Sequence, residues 1–569
     1  MSNKDIGVFE EWPFKTPHIK TVIKKIEAFA KAFSNATSEK EAYSIYKKYS
    51  HYSDKVADQI THIQVLYTLY TQKEEYVKAQ NLLAENGPAL SSASLLFSKA
   101  LVSSPYRSYL ESKLGSHLFT ILDYQIKSFD PRLEEDAVKE NKLVMKYQAL
   151  TASAQIEFQG GVHTLSQMGK FLVDPDRHVR KEASALYYSF LSGIKDQLED
   201  IYDQLVKLRD HEAKLMGYKN YVELGYLRMN RFDYSKEDVA RYREEINQVV
   251  TPIANKLFKQ DMKRCGISTP KVYDLGMMFK DGNPTPFGDT NDKIESAKKM
   301  YSELSSDAST FFNFMADHHL LDLEARAGKS NGGYMTYFPM KKCPFIFSNF
   351  NGTSGDVDVL THEFGHSFQS YCARNIKVPE YRAPTYESCE IDSMAMEFFA
   401  EPWMNLFFKE PTKYRYEHLA SSISFLPYGV TVDEFQEWVY ENPEATPAQR
   451  DEKWHELEVK YTPWKAKAYK GCSYMESGHR WLMQLHIFEL PFYYVDYTLA
   501  QVLAFEFFNL DRKNHEKAWK KYVKLNTLGG RLPFRSLLAK TGLKDPFVTG
   551  TVKKTIHPLV KLLKDYNVH

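Results

Sequence analysis

At 569 residues the chain exceeds what one compact core normally fills, so two or three substructures with ample buried area are expected. Basic and acidic residues nearly cancel, 74 against 73, which leaves no global field to draw nucleic acid or an anionic membrane, and no run of eighteen apolar residues offers a membrane span. The partner must be argued from a site.

The opening stretch MSNKDIGVFEEWPFK has acidic residues and lacks the apolar segment of a secretory leader, so a cytoplasmic protein is expected. Cys265, Cys343, Cys372, Cys389 and Cys472 are odd in number and show no CxxC spacing, which fits the same reducing compartment. Polar–apolar periodicity predicts helices over most of 18–260, and again over 290–325, 415–425 and 455–525. Within the first stretch, Ile194, Leu198, Ile201, Leu205 and Leu208 fall on one helical stripe and read as core. Strand-like runs are few. AQIEFQGGVHTLS, with Gly160-Gly161 between two short alternating segments, predicts a hairpin, and GGYMTYFPMKKCPFIFSNFNGT a second β region. Pro175 precedes a new helical run and sets a boundary near 180, giving units 1–180 and 181–569. No fixed-period repeat supports a solenoid.

The chemistry concentrates in VDVLTHEFGHSFQSYCA, from Val357. Residues four apart share a helical face, so His362 and His366 can aim imidazole nitrogens at one point about 2.0 Å from a zinc ion. Glu363 projects from a neighbouring direction and is placed to take a proton from a water on the metal rather than to bind the metal. The competing reading is a buried helix whose histidines bond to nearby backbone. Val357, Val359, Leu360 and Phe364 make this helix apolar around much of its circumference, and three polar groups there need strong partners to offset desolvation.

Two imidazoles leave a catalytic zinc short of one protein ligand. The helix-favouring run YESCEIDSMAMEFFAEPW offers Glu387, Glu390, Asp392 and Glu397, and spacing does not separate Glu390 from Glu387. Cys372 points off the ligand face and Cys389 lies about 100° round the helix from Glu390, so a closed thiolate site is not expected.

With these residues in hand, the chain resembles the oligoendopeptidase F and thimet oligopeptidase family of zinc metallopeptidases, nearest to the bacterial oligoendopeptidase F branch. HEFGH followed by CEIDSMAMEFF is similar to that family's zinc signature. DPDRHVRKEASALYY, EARAGKSNGGYMTYFPMKKCPFIFSNFNGTSGDVDVL and LGGRLPFRSLLAKTGLKDPF resemble its flanking segments, so the similarity runs from about 150 to 550. The resemblance implies Glu390 as third ligand to one Zn2+ per chain, and Glu363 as catalytic base. It implies a mostly α fold of two largely helical halves enclosing a deep substrate channel, with a small β-sheet next to the HExxH helix and 181–569 as the catalytic domain. LHIFELPFYYVDYTLAQ resembles the substrate-binding loop, with His486, Tyr494 and Tyr497 at the matching positions, where donors beside the metal stabilise an oxyanion. Glu489, Leu490 and Pro491 replace the glycine-rich loop of the thimet branch.

The function expected is a zinc endopeptidase acting on oligopeptides. CPFIFSNFN reads equally as an exposed edge strand that pairs with an extended peptide or as a core strand built on Phe345, Ile346 and Phe347. An exopeptidase with the same zinc machinery is the alternative; it would need a cation for the terminal carboxylate, for which Arg326, Lys329 and Arg382 are candidates. A helical scaffold with a structural HEFGH is the non-enzymatic alternative.

Overall fold

Pro175 and Asp176 punctuate the chain as their chemistry requires: the proline precedes the helix Arg177–Leu215, and the Asp176 carboxylate accepts from the backbone N–H of His178 at 2.8 Å. Leu198, Ile201 and Leu205 of the predicted stripe are fully buried there, and Ile194 and Leu208 at its ends half-buried. The structure, a computed structural model, describes residues 6–568. It is 71% helical with two small sheets, so the class is the mostly α one expected from periodicity.

The predicted hairpin forms one residue out of place. Strands β1 (Ile156–Phe158) and β2 (Gly161–His163) pair antiparallel with Phe158 opposite Gly161, so the turn is Gln159-Gly160, at φ +47° and +77°. Both central residues of such a two-residue turn take positive φ; Gln159 accepts that conformation and Gly161 joins the strand.

The second sheet contains β3 (Leu321–Glu324), β4 (Tyr334–Phe338) and β5 (Cys343–Phe350), in the order β3-β5-β4. β5 is the central strand, parallel to β3 and antiparallel to β4, with Leu321 and Tyr334 opposite Ile346 and Phe347. Phe345, Ile346 and Phe347 are buried, so CPFIFSNFN is the core strand, and the edge next to the site belongs to β4. The stretch expected to stay helical to 325 ends at Asp317, because Leu321–Glu324 supplies the parallel partner that β5 needs.

Residues from the start of the chain seal this sheet: the Phe9 ring lies 4.4 Å from that of Phe345, and Trp12 lies 5.0 Å edge-on to Phe338. β5 leads directly into the helix Gly355–Ala373, and Asp356 ties the connection by accepting from the N–H groups of Asn351 and Gly352, at 2.8 and 3.0 Å. Phe364 projects away from the histidines onto Tyr301, with ring centroids 3.9 Å apart, and truncating such a fully buried ring costs about 3–5 kcal/mol. Among the described residues no helix is long and apolar enough to cross a membrane, and all five cysteines are free.

Candidate active site

The helix Gly355–Ala373 presents His362 and His366 on one face, with ring centroids 5.0 Å apart and planes nearly perpendicular. The helix Tyr386–Phe399 packs across them unusually closely, and Gly365 is the reason. A Cβ at Gly365 would stand 2.5 Å from the Asp392 carbonyl oxygen and 2.6 Å from the Ser393 Cα, both backbone atoms that cannot swing aside. The glycine inside HEFGH therefore brings the second helix within reach of the imidazoles.

That approach delivers Glu390. Its Oε2 lies 3.2 Å from His362 Nε2 and 3.5 Å from His366 Nε2; Glu390 and His366 are buried and His362 half-buried. Bonds of about 2.0–2.1 Å to a tetrahedral ion put ligand atoms about 3.3 Å apart, so these separations are edges a metal fits. Glu387 faces elsewhere: neither of its buried oxygens has a hydrogen-bond partner, and burial together with Asp496 pushes its carboxyl well up. Asp392 meets the helix His515–Leu528, where its backbone oxygen accepts from Tyr522 at 2.7 Å.

Glu397 stands behind the group. Its Oε1 accepts from His362 Nδ1 and its Oε2 from His418 Nε2, each at 2.7 Å, which fixes the His362 ring with Nε2 toward Glu390. Tyr493 donates to Glu390 Oε1, and Ser393 Oγ donates to Oε2 at 2.9 Å. Cys389 Sγ lies 3.5 Å from His366 Nδ1, on the side away from Glu390. Burial keeps that thiol up, so it stays protonated against the ring.

Burial opposes every charge here, and pairing decides the outcome. Glu390 is held well below the ordinary carboxylate range by His366 and His362 despite burial, and Glu397 is lowered by its two histidines in the same way. Burial alone would depress His362, but Glu390 and Glu397 push it up to about 10. Glu363 differs. Burial raises its carboxyl more than the imidazoles lower it, and Oε2 is buried with no hydrogen-bond partner. An orphaned carboxylate oxygen beside a two-imidazole, one-carboxylate set is the donor chemistry of a hydrolytic metal centre.

His486 sits on the short helix Leu485–Glu489, and Tyr494 and Tyr497 on Tyr494–Asp511. Tyr428 donates to Gln484 Oε1 at 2.8 Å, and the Gln484 amide nitrogen donates to His486 Nδ1 at 3.0 Å. This leaves the proton on Nε2, 3.2 Å from the Tyr497 hydroxyl. Tyr497 is thus brought to His486, and the Tyr494 ring lies 5.2 Å edge-on from His486, packed on its other sides against Phe425 and Tyr428. A cavity of about 350 Å³ opens beside these groups, lined by His362, Glu397, His418, Phe425, His486 and Tyr497 among others.

Residue spacing alone did not point to His418, Gln484 or the role of Tyr493. Glu397 carried a signal: seven residues after Glu390, it shares that residue's helical face.

A mostly helical frame that gathers two imidazoles and a carboxylate at one point, with an unpaired buried carboxylate alongside, defines a metallopeptidase. The sequence pattern of Peptidase family M3 matches residues 171–555, and that of the Peptidase M3 N-terminal domain matches 9–129. An oligoendopeptidase F homolog of Borreliella burgdorferi is 23% identical over 74% of this chain and 72% of its own length. A solved structure of Pz peptidase A with inhibitor 2 superposes with a TM-score of 0.96 at 43% identity, over 98% of this chain and 99% of that one. A Bacillus anthracis protein described as an oligoendopeptidase F superposes at 0.93 with 40% identity, over 99% and 100%. The chain belongs to Peptidase family M3, in its oligoendopeptidase F group.

Proposed function

We propose that this chain is a zinc-dependent endopeptidase of short oligopeptides, in which His362, His366 and Glu390 hold one Zn2+ and Glu363 is the general base. The observation that carries the reading is the shared Glu390 Oε2 between both Nε2 atoms, with the unpartnered Glu363 Oε2 beside them. When bound, zinc would supply Lewis acidity, acidifying water and polarising the scissile carbonyl. Glu363 takes the proton from the attacking water and returns it to the leaving amine. His486, Tyr494 and Tyr497, which line one cavity, are the donors that stabilise the oxyanion.

The free edge of β4 is suited to an extended substrate backbone: a Cβ on Gly333, just before β4, would stand 3.9 Å from Glu363 Oε1. Endopeptidase action is further supported by the three candidates for the cation an exopeptidase would need, all of them already paired. Arg326 and Lys329 are both paired with Asp322, at 2.7 and 2.6 Å, and Arg382 with Asp54 at 2.8 Å. We assign residues 1–180 to an N-terminal helical domain and 181–569 to the catalytic domain, two halves around a channel that admits peptides and excludes folded proteins, in a cytoplasmic setting. A quenched fluorescent peptide blocked at both ends tests this: it is cut, a chelator stops the cutting, added zinc restores it, and a stably folded protein survives. Cutting that is indifferent to the chelator, or confined to peptides with a free terminus, contradicts it.

A further inference from the structure

Between the helix carrying His486 and the helix carrying Tyr497 the chain turns at Pro491 and Phe492. Phe492 has φ +70°, a left-handed conformation that glycine adopts freely and a bulky side chain does not. The other non-glycine residues of positive φ among those described are Gln159, Asn230, His319, Lys342 and Asn567, all polar. Phe492 alone is apolar, and it is buried. Strain of this kind persists only where the surroundings over-determine it.

Three neighbours do so. The Phe492 N–H donates to Gln436 Oε1 at 3.0 Å, and its carbonyl accepts from Arg231 Nη2 at 2.5 Å. Its ring lies against Gly225, where an added Cβ would come within 2.6 Å of Cδ2 and Cε2. Arg231 is itself fully enclosed, paired with Asp496 at 3.3 Å and stacked 4.2 Å from the Tyr226 ring. A second buried arginine, Arg209, donates to the Phe488 carbonyl at 2.6 Å, so the turn is tied at both ends. Immediately after it, Tyr493 donates to Glu390 Oε1 and Tyr497 meets His486.

We propose that Phe492 is a strained positioning residue: Arg231, Gln436 and the gap at Gly225 lock it at positive φ, and the lock sets where Tyr493 and Tyr497 stand against Glu390 and the metal. This rests on the metal-centre reading above. Gly225 and Gln436 reach the site through residue 492, and a return of Phe492 to negative φ would re-aim the start of the next helix and take the Tyr493 phenol off the carboxylate.

The test places Gly225→Ala and Gln436→Leu, separately, in the native chain and in a Tyr493→Phe/Tyr497→Phe background. Zinc affinity is read by competition with a chromophoric chelator, and kcat and KM with the doubly blocked peptide. In the native background each substitution weakens zinc about tenfold and lowers kcat about tenfold, with KM nearly unchanged. In the tyrosine-free background the same substitutions change either quantity by less than about twofold, because the groups they act through are gone. Equal losses in both backgrounds would reduce the residues to general packing, and no loss in either would remove the lock; both overturn the proposal. Thermal unfolding verifies folding, and if Gly225→Ala fails to fold, Gln436→Leu carries the test. A native chain that binds zinc but cuts no peptide removes the functional reading, and the zinc measurement still decides the lock.

Discussion

The phenol of Tyr493 donates to Oε1 of Glu390, leaving Oε2 alone to face His362 and His366. A carboxylate with one oxygen tied off cannot swing into a second binding mode, so the hydrogen bond orients a ligand. Tyr493→Phe keeps the ring and deletes the donor. Zinc affinity by chelator competition is expected to fall about tenfold with the unfolding temperature nearly unchanged.

Glu397 bridges His362 and His418 through its two oxygens. Glu397→Ala releases His362 Nδ1, and metal affinity should fall about 10–100-fold. The same loss of side chain at an exposed carboxylate such as Glu157 should leave metal content alone; equilibrium dialysis against zinc compares them.

Gly365 is where the two site helices touch backbone to backbone. Gly365→Ala is expected to cost about 1–3 kcal/mol through overpacking and to empty the metal site, since Glu390 moves with its helix. Gly193 is the control: it lies mid-helix with open space around its Cβ position, and Gly193→Ala should stabilise by about 0.5–1 kcal/mol. Denaturant unfolding with metal analysis of both variants checks the pair.

Burial pushes His486 down to about 4. Between the ordinary value near 6.5 and about 4, the unfolded chain binds a proton that the folded chain does not, so the His486 contribution turns increasingly destabilising as pH falls through that window. The ring should show no NMR titration between about pH 5.5 and 8, remaining a neutral Nε2–H donor. His486→Gln should lose roughly 1–2 kcal/mol less stability than the native chain on acidification from pH 7 to 5.

Local periodicity carries only the part of this site that lies within one helix turn. His362, Glu363 and His366 are legible because four residues nearly close a turn, and the mostly α class because apolar stripes recur along the chain. Glu387 and Glu390 are both helical and both buried, and only the approach at Gly365 selects between them. Tyr493 and Tyr494 are adjacent, so which one reaches Glu390 depends on the φ of Phe492, a tertiary property. β5 reads as edge or core with equal ease because its parallel partner, Leu321–Glu324, hides at the end of a helical stretch. His418 meets Glu397 across 21 residues, beyond any local pattern.

The most direct test of the account is Glu363→Gln, which keeps the shape of the side chain and removes its capacity to take a proton. Zinc per chain by mass spectrometry and hydrolysis of the doubly blocked peptide are measured on the same preparation. One zinc per chain is expected, as in the native protein, with turnover reduced at least about a thousandfold. Full zinc occupancy with near-native turnover would contradict it.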